Sequence, residues 1–227
     1  MQLRLSLPAL AVLALGLMAS AIVLIAYVAP EDADQGLSQK IFYFHVPIAL
    51  TAYALFIWGA WKALVHLWKR EPGADLESYV AIHQGVIFGA LTLVTGSIWA
   101  KISWGVWWAW SSNQLVLFLV LFLFYSAYFM LRFSIEPGPR RENSSAVYAL
   151  FGVALIPVSF LAVRIAGTIL HPTVFTHDEG VAMPWEMFLA FCVCFAGMLA
   201  LGATLYRVEL AGKRIDVSLK ELREQLA

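Results

Sequence analysis

The apolar residues of this chain fall into six long runs, separated by short segments rich in charge, glycine or proline. A helix that crosses a bilayer needs about 20 mostly apolar residues, and each run reaches about that length. The runs cover residues 5–28, 41–67, 80–100, 114–133, 145–165 and 185–206. The pattern therefore predicts an all-α, polytopic membrane protein with six transmembrane helices. Pro157 lies inside the fifth run and predicts a kink there.

Composition supports this fold class. The chain of 227 residues is 61% apolar and 13% charged, whereas a soluble domain has about 45–50% apolar and about 25% charged residues. A core of this size cannot hold the excess, so much of it must face lipid. We expect a single membrane domain over 1–227. Cys192 and Cys194 stand two positions apart in one apolar run, a spacing that favours small buried side chains over a disulfide.

The first run has an alternative interpretation as a cleaved signal peptide. Ala19, Ser20 and Ala21 resemble a cleavage site with small residues. The run nevertheless continues to Val28, which is longer than the apolar region of a usual signal peptide. We expect this segment to be retained as the first transmembrane helix.

The distribution of Lys and Arg predicts the orientation. Six spans place both termini on one side, and that side carries twelve Lys and Arg against three on the other. The twelve are Arg4, Lys62, Lys69, Arg70, Arg132, Arg140, Arg141, Arg207, Lys213, Arg214, Lys220 and Arg223, and the three are Lys40, Lys101 and Arg164. Because cytoplasmic loops are enriched in these residues, both termini should be cytoplasmic. Residues 207–227 alternate charges and leucines, which predicts a cytoplasmic tail helix.

This orientation places a tryptophan-rich loop, residues 101–113, on the outer face. Its tryptophans are Trp104, Trp107, Trp108 and Trp110, and Trp99 lies just upstream. Tryptophan is common at membrane interfaces, so the cluster is either an interfacial belt or a platform for a flat, apolar ligand. Gly105 would permit a bend or a close approach to a ligand. Helical and extended conformations would place different tryptophans on one side, and the sequence favours neither.

Two histidines map to the same outer face. His45 precedes Val46-Pro47, and Pro47 suits the first turn of the second helix, with His45 just outside it. His171 precedes Pro172 in the loop after the fifth span. Taken alone, His45 could simply bond a carbonyl at a helix end, and His171 could be a solvated loop residue. Neutral imidazole is, however, a standard axial ligand of haem iron. Two histidines on the same face as an aromatic surface could therefore bind haem instead.

Lys101 and Arg164 are outer-face cations near these elements. They could pair with haem propionates, or they could extend their charged ends to the interface from helix termini. The sequence contains no Walker motif, nucleophile elbow or H-E-x-x-H motif, which argues against ATP hydrolysis and protease chemistry.

Four segments together resemble the haem exporter protein C family of bacterial cytochrome c maturation. They are IFYFHVP at 41–47, TGSIW at 95–99, WGVWWAW at 104–110 and LHP at 170–172. The resemblance implies an inner-membrane protein whose periplasmic Trp-rich box holds haem b. By this resemblance His45 and His171 are the axial ligands, and Trp104, Trp107, Trp108 and Trp110 form the platform. The family presents haem to a membrane-anchored periplasmic haem chaperone, beside an ABC transporter pair of ATPase and membrane partner.

One position departs from the family. Trp110 is followed by Ser111, where the family normally has aspartate. We expect the loss of this carboxylate to affect haem transfer to the chaperone more than haem binding. The expected function is haem transport and delivery, without enzymatic activity. One alternative is a haem lyase that attaches haem to apocytochrome c, although such proteins are larger and have more spans. Another alternative is a structural subunit of an ABC permease that binds no ligand.

Overall fold

The computed structural model describes residues 5–32, 35–165, 175–176, 180–181 and 183–226. Six α-helices form its framework. They are α1 (Leu7–Tyr27), α2 (Phe42–Lys69), α3 (Ala74–Trp104), α4 (Asn113–Ser134), α5 (Pro139–Ile165) and α6 (Trp185–Leu226). A short 3-10 turn, Leu37–Ile41, runs directly into α2. Two antiparallel strands of two residues each, β1 (Phe175–Thr176) and β2 (Gly180–Val181), lie between α5 and α6.

Local sequence signals account for where the helices begin and end. The Ser6 hydroxyl accepts a hydrogen bond from the Ala9 N–H at 3.4 Å and caps α1. Arg70 and Gly73 adopt left-handed backbone conformations, with φ of 53° and 80°, and turn the chain between α2 and α3. Pro139 is the first residue of α5, a position where its missing N–H costs nothing.

Five helices in the described part of the chain are long and apolar enough to cross a membrane: α1, α2, α3, α4 and α6. The first half of α5 is polar, with Arg140, Arg141 and Glu142 in its opening turn. The polytopic helical prediction is therefore confirmed in its coarser form, while the sixth span stays a prediction. The tail at 207–226 is a direct continuation of α6, because no proline interrupts 185–226.

The core is organised around α2, which contacts α3, α5 and α6, while α1 packs along α6 and α4 along α5. Phe56 of α2 stacks on Tyr125 of α4, with ring centroids 3.9 Å apart and planes 4° from parallel. Small residues make room for these rings: a Cβ at Gly85 would lie 2.6 Å from Phe56, and one at Gly152 would lie 2.6 Å from Tyr125. Glycine therefore sets how closely the helices approach.

Helices α2 and α3 run antiparallel, so the beginning of α2 and the end of α3 lie at one end of the bundle. The opposite end carries ion pairs. Glu77 at the start of α3 contacts Lys62 of α2 and Arg214 of α6, each at 2.6 Å, and Asp75 pairs with Arg132 of α4. This arrangement separates a charged end from the end that carries the tryptophan cluster.

Candidate functional site

The tryptophan cluster lies where α3 ends and the chain turns toward α4. Trp104 is the last residue of α3, and Gly105 follows with φ of 76°, a left-handed conformation that favours glycine. The Gly105 N–H donates to the Lys101 carbonyl at 3.1 Å and closes the helix. Residues 105–112 have neither helical nor strand structure. The cluster is therefore a helix end followed by an irregular turn, and neither conformation considered from the sequence covers it.

Two edge-to-face pairs organise the indole rings. Trp99 and Trp104 have centroids 4.9 Å apart with planes at 75°, and Trp108 and Trp110 have centroids 5.9 Å apart with planes at 65°. Aromatic pairs prefer such tilted geometries. Trp107 and Trp110 are 61% and 72% exposed, whereas Trp104 and Trp108 are half-buried. The result is an aromatic surface that is anchored in the bundle on one side and open on the other.

The buried indole N–H of Trp108 has no hydrogen-bond partner among the described residues. An unsatisfied buried donor costs about 1–3 kcal/mol, so it marks a position where an acceptor would be favourable. Trp99 was not among the platform residues predicted from the sequence. No sequence signal pairs it with Trp104, which lies five residues later, because positions three and four apart are the neighbours on a regular helix.

His45 lies at the same end of the bundle. Its half-buried side chain packs against α3, with Nδ1 2.9 Å from the Thr95 hydroxyl oxygen. A Cβ built on the neighbouring Gly96 would lie 2.9 Å from the His45 Cε1 atom. Trp99 follows one turn later on the same helix. His45 and the tryptophan cluster thus lie at the same end of the bundle.

The local setting of His45 differs from the prediction in one respect. We expected Pro47 in the first turn of the second helix and His45 outside it, but α2 begins at Phe42 and includes both residues. The reason is that the 3-10 turn at Leu37–Ile41 continues directly into α2, so that the helical path is established before Pro47. His45 therefore lies on a helix that packs against α3 and does not belong to a loop.

The remaining predicted site residues are placed as follows. Lys101 is exposed, and its ammonium donates to the Gly105 carbonyl at 2.8 Å, at the rim of the cluster. Arg164 lies in the last turn of α5, where the structure describes the backbone alone. His171 falls outside the described residues. The structure thus places His45, Lys101, Gly105 and the tryptophans at one end of the bundle, and the roles of all the predicted site residues stay predictions.

Two further histidines lie toward the opposite end and are bound to polar partners. His66 Nε2 is 3.2 Å from the Asn143 side-chain oxygen. His83 Nδ1 is 2.8 Å from a carboxylate oxygen of Glu209, which also accepts a hydrogen bond from Gln84 at 2.6 Å. These contacts join α2 to α5 and α3 to α6. Both histidines therefore have structural roles and serve as controls for His45.

Comparison with known proteins assigns the family. The family model described as "Heme exporter protein C" matches residues 2–226. The chain belongs to this family. A protein named heme exporter protein C from Bradyrhizobium diazoefficiens is 30% identical over 213 residues, which are 93% of this chain and 76% of that protein. The protein of the same name from Paracoccus denitrificans is 33% identical over 145 residues, 64% of this chain and 60% of that protein.

A third relative comes from a plant. A ccmC-like mitochondrial protein of cytochrome c biosynthesis from Marchantia polymorpha is 28% identical over 193 residues, 85% of this chain and 81% of that protein. The resemblance stated from the four sequence segments is confirmed by these matches.

Proposed function

We propose that this chain binds haem b at the periplasmic face of the bacterial inner membrane and hands it to a periplasmic haem chaperone during cytochrome c maturation. The observation that carries the proposal is the position of His45. Its imidazole is seated against α3 at the end of the bundle that holds the tryptophan cluster. An imidazole beside a broad exposed aromatic surface fits a flat, apolar molecule with a central iron.

His45 and His171 are the proposed axial ligands of the iron. Trp104, Trp107, Trp108 and Trp110 would cover the ring, and Gly105 provides the turn that places them. Lys101 supports the assignment, because its ammonium lies at the rim of the cluster and has donors besides the one that binds Gly105. Lys101 and Arg164 are the proposed partners of the two propionates.

The proposed orientation rests on charge. Lys62, Arg132 and Arg214 lie at the end of the bundle opposite the tryptophan cluster. Because Lys and Arg are enriched on the cytoplasmic side, this distribution supports a cytoplasmic ion-paired end and a periplasmic cluster. The names of the bacterial relatives, heme exporter protein C, and of the plant relative, which concerns cytochrome c biosynthesis, support the proposed cargo and pathway.

Handover requires that one axial ligand leaves the iron and that a ligand from the chaperone replaces it. Ser111 directly follows the cluster and is exposed, so it lies where the chaperone would contact the loop. The ATPase and membrane partner of an ABC transporter are the other proposed partners, and they would act in releasing the loaded chaperone.

A visible spectrum of the purified chain, prepared from haem-replete cells and titrated with haem, tests the binding step. We expect a Soret band for the wild type and a weakened or shifted band for His45→Ala and His171→Ala. His83→Gln is the matched control, because His83 lies away from the cluster and bonds Glu209. It should bind haem like the wild type.

The alternatives predict different outcomes. A colourless wild-type preparation that takes up no added haem would refute the proposal and favour a structural subunit of an ABC permease. Covalent attachment of haem to an apocytochrome c by this chain alone would favour a lyase. Equal weakening in His83→Gln and His45→Ala would show that the loss reflects folding and not iron ligation.

A further inference from the structure

We propose that Thr95 and Gly96 are positioning residues that form a seat for His45, fixing its ring orientation and its tautomer. The inference rests on the proposed function in that His45 is taken as an iron ligand. It goes beyond that function because Thr95 and Gly96 are not among the residues proposed to bind haem. Both residues would affect haem binding only through the position and tautomer of His45.

The hydroxyl of Thr95 determines the tautomer. It carries a single proton, and the carbonyls of Leu91 at 2.8 Å and Thr92 at 3.3 Å both lie where they can accept it, as carbonyls three or four residues back commonly do for helical threonines. The oxygen then accepts from His45 Nδ1, which lies 2.9 Å away, so Nδ1 carries the proton of the neutral ring. In that tautomer Nε2 bears the lone pair. Nε2 is therefore the nitrogen that the seat prepares as a metal ligand.

Gly96 provides the space that the ring occupies. A Cβ at this position would lie 2.9 Å from His45 Cε1 and 3.6 Å from each ring nitrogen. The first distance is closer than a side-chain carbon approaches in practice, so any side chain at 96 would push the imidazole away from Thr95. Glycine inside a helix costs roughly 0.5–1 kcal/mol relative to alanine. The close approach of the ring gives a physical reason for glycine at this position.

Such outer contacts matter for metal ligation. A histidine ligand usually donates its second ring N–H to a neighbouring acceptor, which fixes the ring and raises its basicity. Loss of that acceptor typically lowers metal affinity by about 10-fold to 100-fold. Thr95 is the acceptor here, and its own bond to Leu91 polarises it further. We therefore expect haem affinity to depend on the Thr95 hydroxyl through its contact with His45.

The first test uses the full-length chain without haem. Nitrogen-15 shifts of labelled histidine report which ring nitrogen is protonated, and the His45→Gln variant identifies the His45 signals among the five histidines. We expect the Nδ1-protonated form in the wild type and in Thr95→Ser. Thr95→Val, which keeps the shape but removes the hydroxyl, should shift the ring toward a mixture of tautomers. An unchanged tautomer in Thr95→Val would overturn the proposal that Thr95 fixes the tautomer of His45.

The second test is a haem titration of the same variants. Thr95→Val and Gly96→Ala should weaken binding at least about 10-fold, and Thr95→Ser should stay close to wild type. Thr92→Val is the matched control, because Thr92 lies on the same helix and donates to the Phe88 carbonyl at 2.9 Å. It should bind haem normally. Equal losses in Thr92→Val and Thr95→Val would refute a role specific to His45.

A double-mutant cycle separates positioning from general structure. If Thr95 acts through His45, Thr95→Val should cause no further loss in a His45→Ala background. Additive losses would overturn the proposal. Failure of haem binding in the wild type would instead refute the proposed function, and the tautomer measured on the haem-free chain would still decide whether the seat exists.

Discussion

Asp75 and Arg132 offer a direct test of what holds the ion-paired end together. The Arg132 guanidinium binds the Asp75 carboxylate through both terminal nitrogens, at 2.8 Å and 2.5 Å. The side chains are only 6% and 15% exposed. The same guanidinium lies 4.9 Å above the Tyr79 ring. Asp75→Asn keeps the size of the side chain but leaves a buried arginine without its counter-charge.

The expected cost follows from that burial. Removing one partner of a buried ion pair costs about 3–5 kcal/mol, because the remaining charge is left uncompensated. Asp75 retains some access to water, so we take the lower end, about 3 kcal/mol. For a chain of this length each kcal/mol lowers the melting temperature by about 2–4 °C, so Asp75→Asn should melt about 6–12 °C below the wild type.

Thermal unfolding of the purified protein in one detergent provides the assay. Arg214→Gln is the control, because it breaks the Arg214–Glu77 pair, in which Arg214 is 56% exposed. An exposed pair is worth about 0–1 kcal/mol, so this variant should shift by no more than about 4 °C. The double variant Asp75→Leu with Arg132→Met should be more stable than Asp75→Asn alone. A smaller shift for Asp75→Asn than for Arg214→Gln would refute the reasoning.

Three further predictions concern packing, transfer and topology. Gly85→Ala should destabilise the fold by about 1–3 kcal/mol, because its Cβ would meet Phe56, whereas Gly16→Ala, with nothing within 4 Å, should not lower the melting temperature. Ser111→Asp should increase haem transfer to the chaperone without changing haem affinity, and unchanged transfer would show that this acid is not limiting. The topology test uses a background without cysteine, Cys192→Ala with Cys194→Ala. In that background Ser111→Cys should react with an impermeant maleimide in intact cells, whereas Ser218→Cys should react only after the cells are permeabilised. The reverse pattern would refute the proposed orientation.

The helices could be predicted from the sequence because apolar runs and their breaks are local signals. The predicted second span, 41–67, lies almost entirely within the structured helix, and the end of α3 follows from Gly105. Helix ends beyond the apolar runs were less predictable. α3 begins at Ala74, six residues before the predicted span, because a helix can include polar residues beyond its apolar run.

The seat of His45 could not be predicted from the sequence, since it depends on the register of two helices. Thr95 lies 50 residues from His45, and a threonine in an apolar helix has no distinctive signal. The pairing of Trp99 with Trp104 was missed for a related reason. Side chains five positions apart are not neighbours on a regular helix, where positions three and four apart meet. These rings meet where α3 ends.

The exposure of the tryptophan cluster supports the proposed ligand platform over a role in folding. Trp107 and Trp110 keep 61% and 72% of their surface exposed, so they gain little of the about 1.5–3 kcal/mol that a fully buried large apolar side chain contributes. Interfacial anchoring needs only one or two aromatic rings at a helix end, and Trp185, 66% exposed, stands at the start of α6. Four tryptophans within residues 104–110 exceed that need. The excess aromatic surface is what a flat ligand would cover.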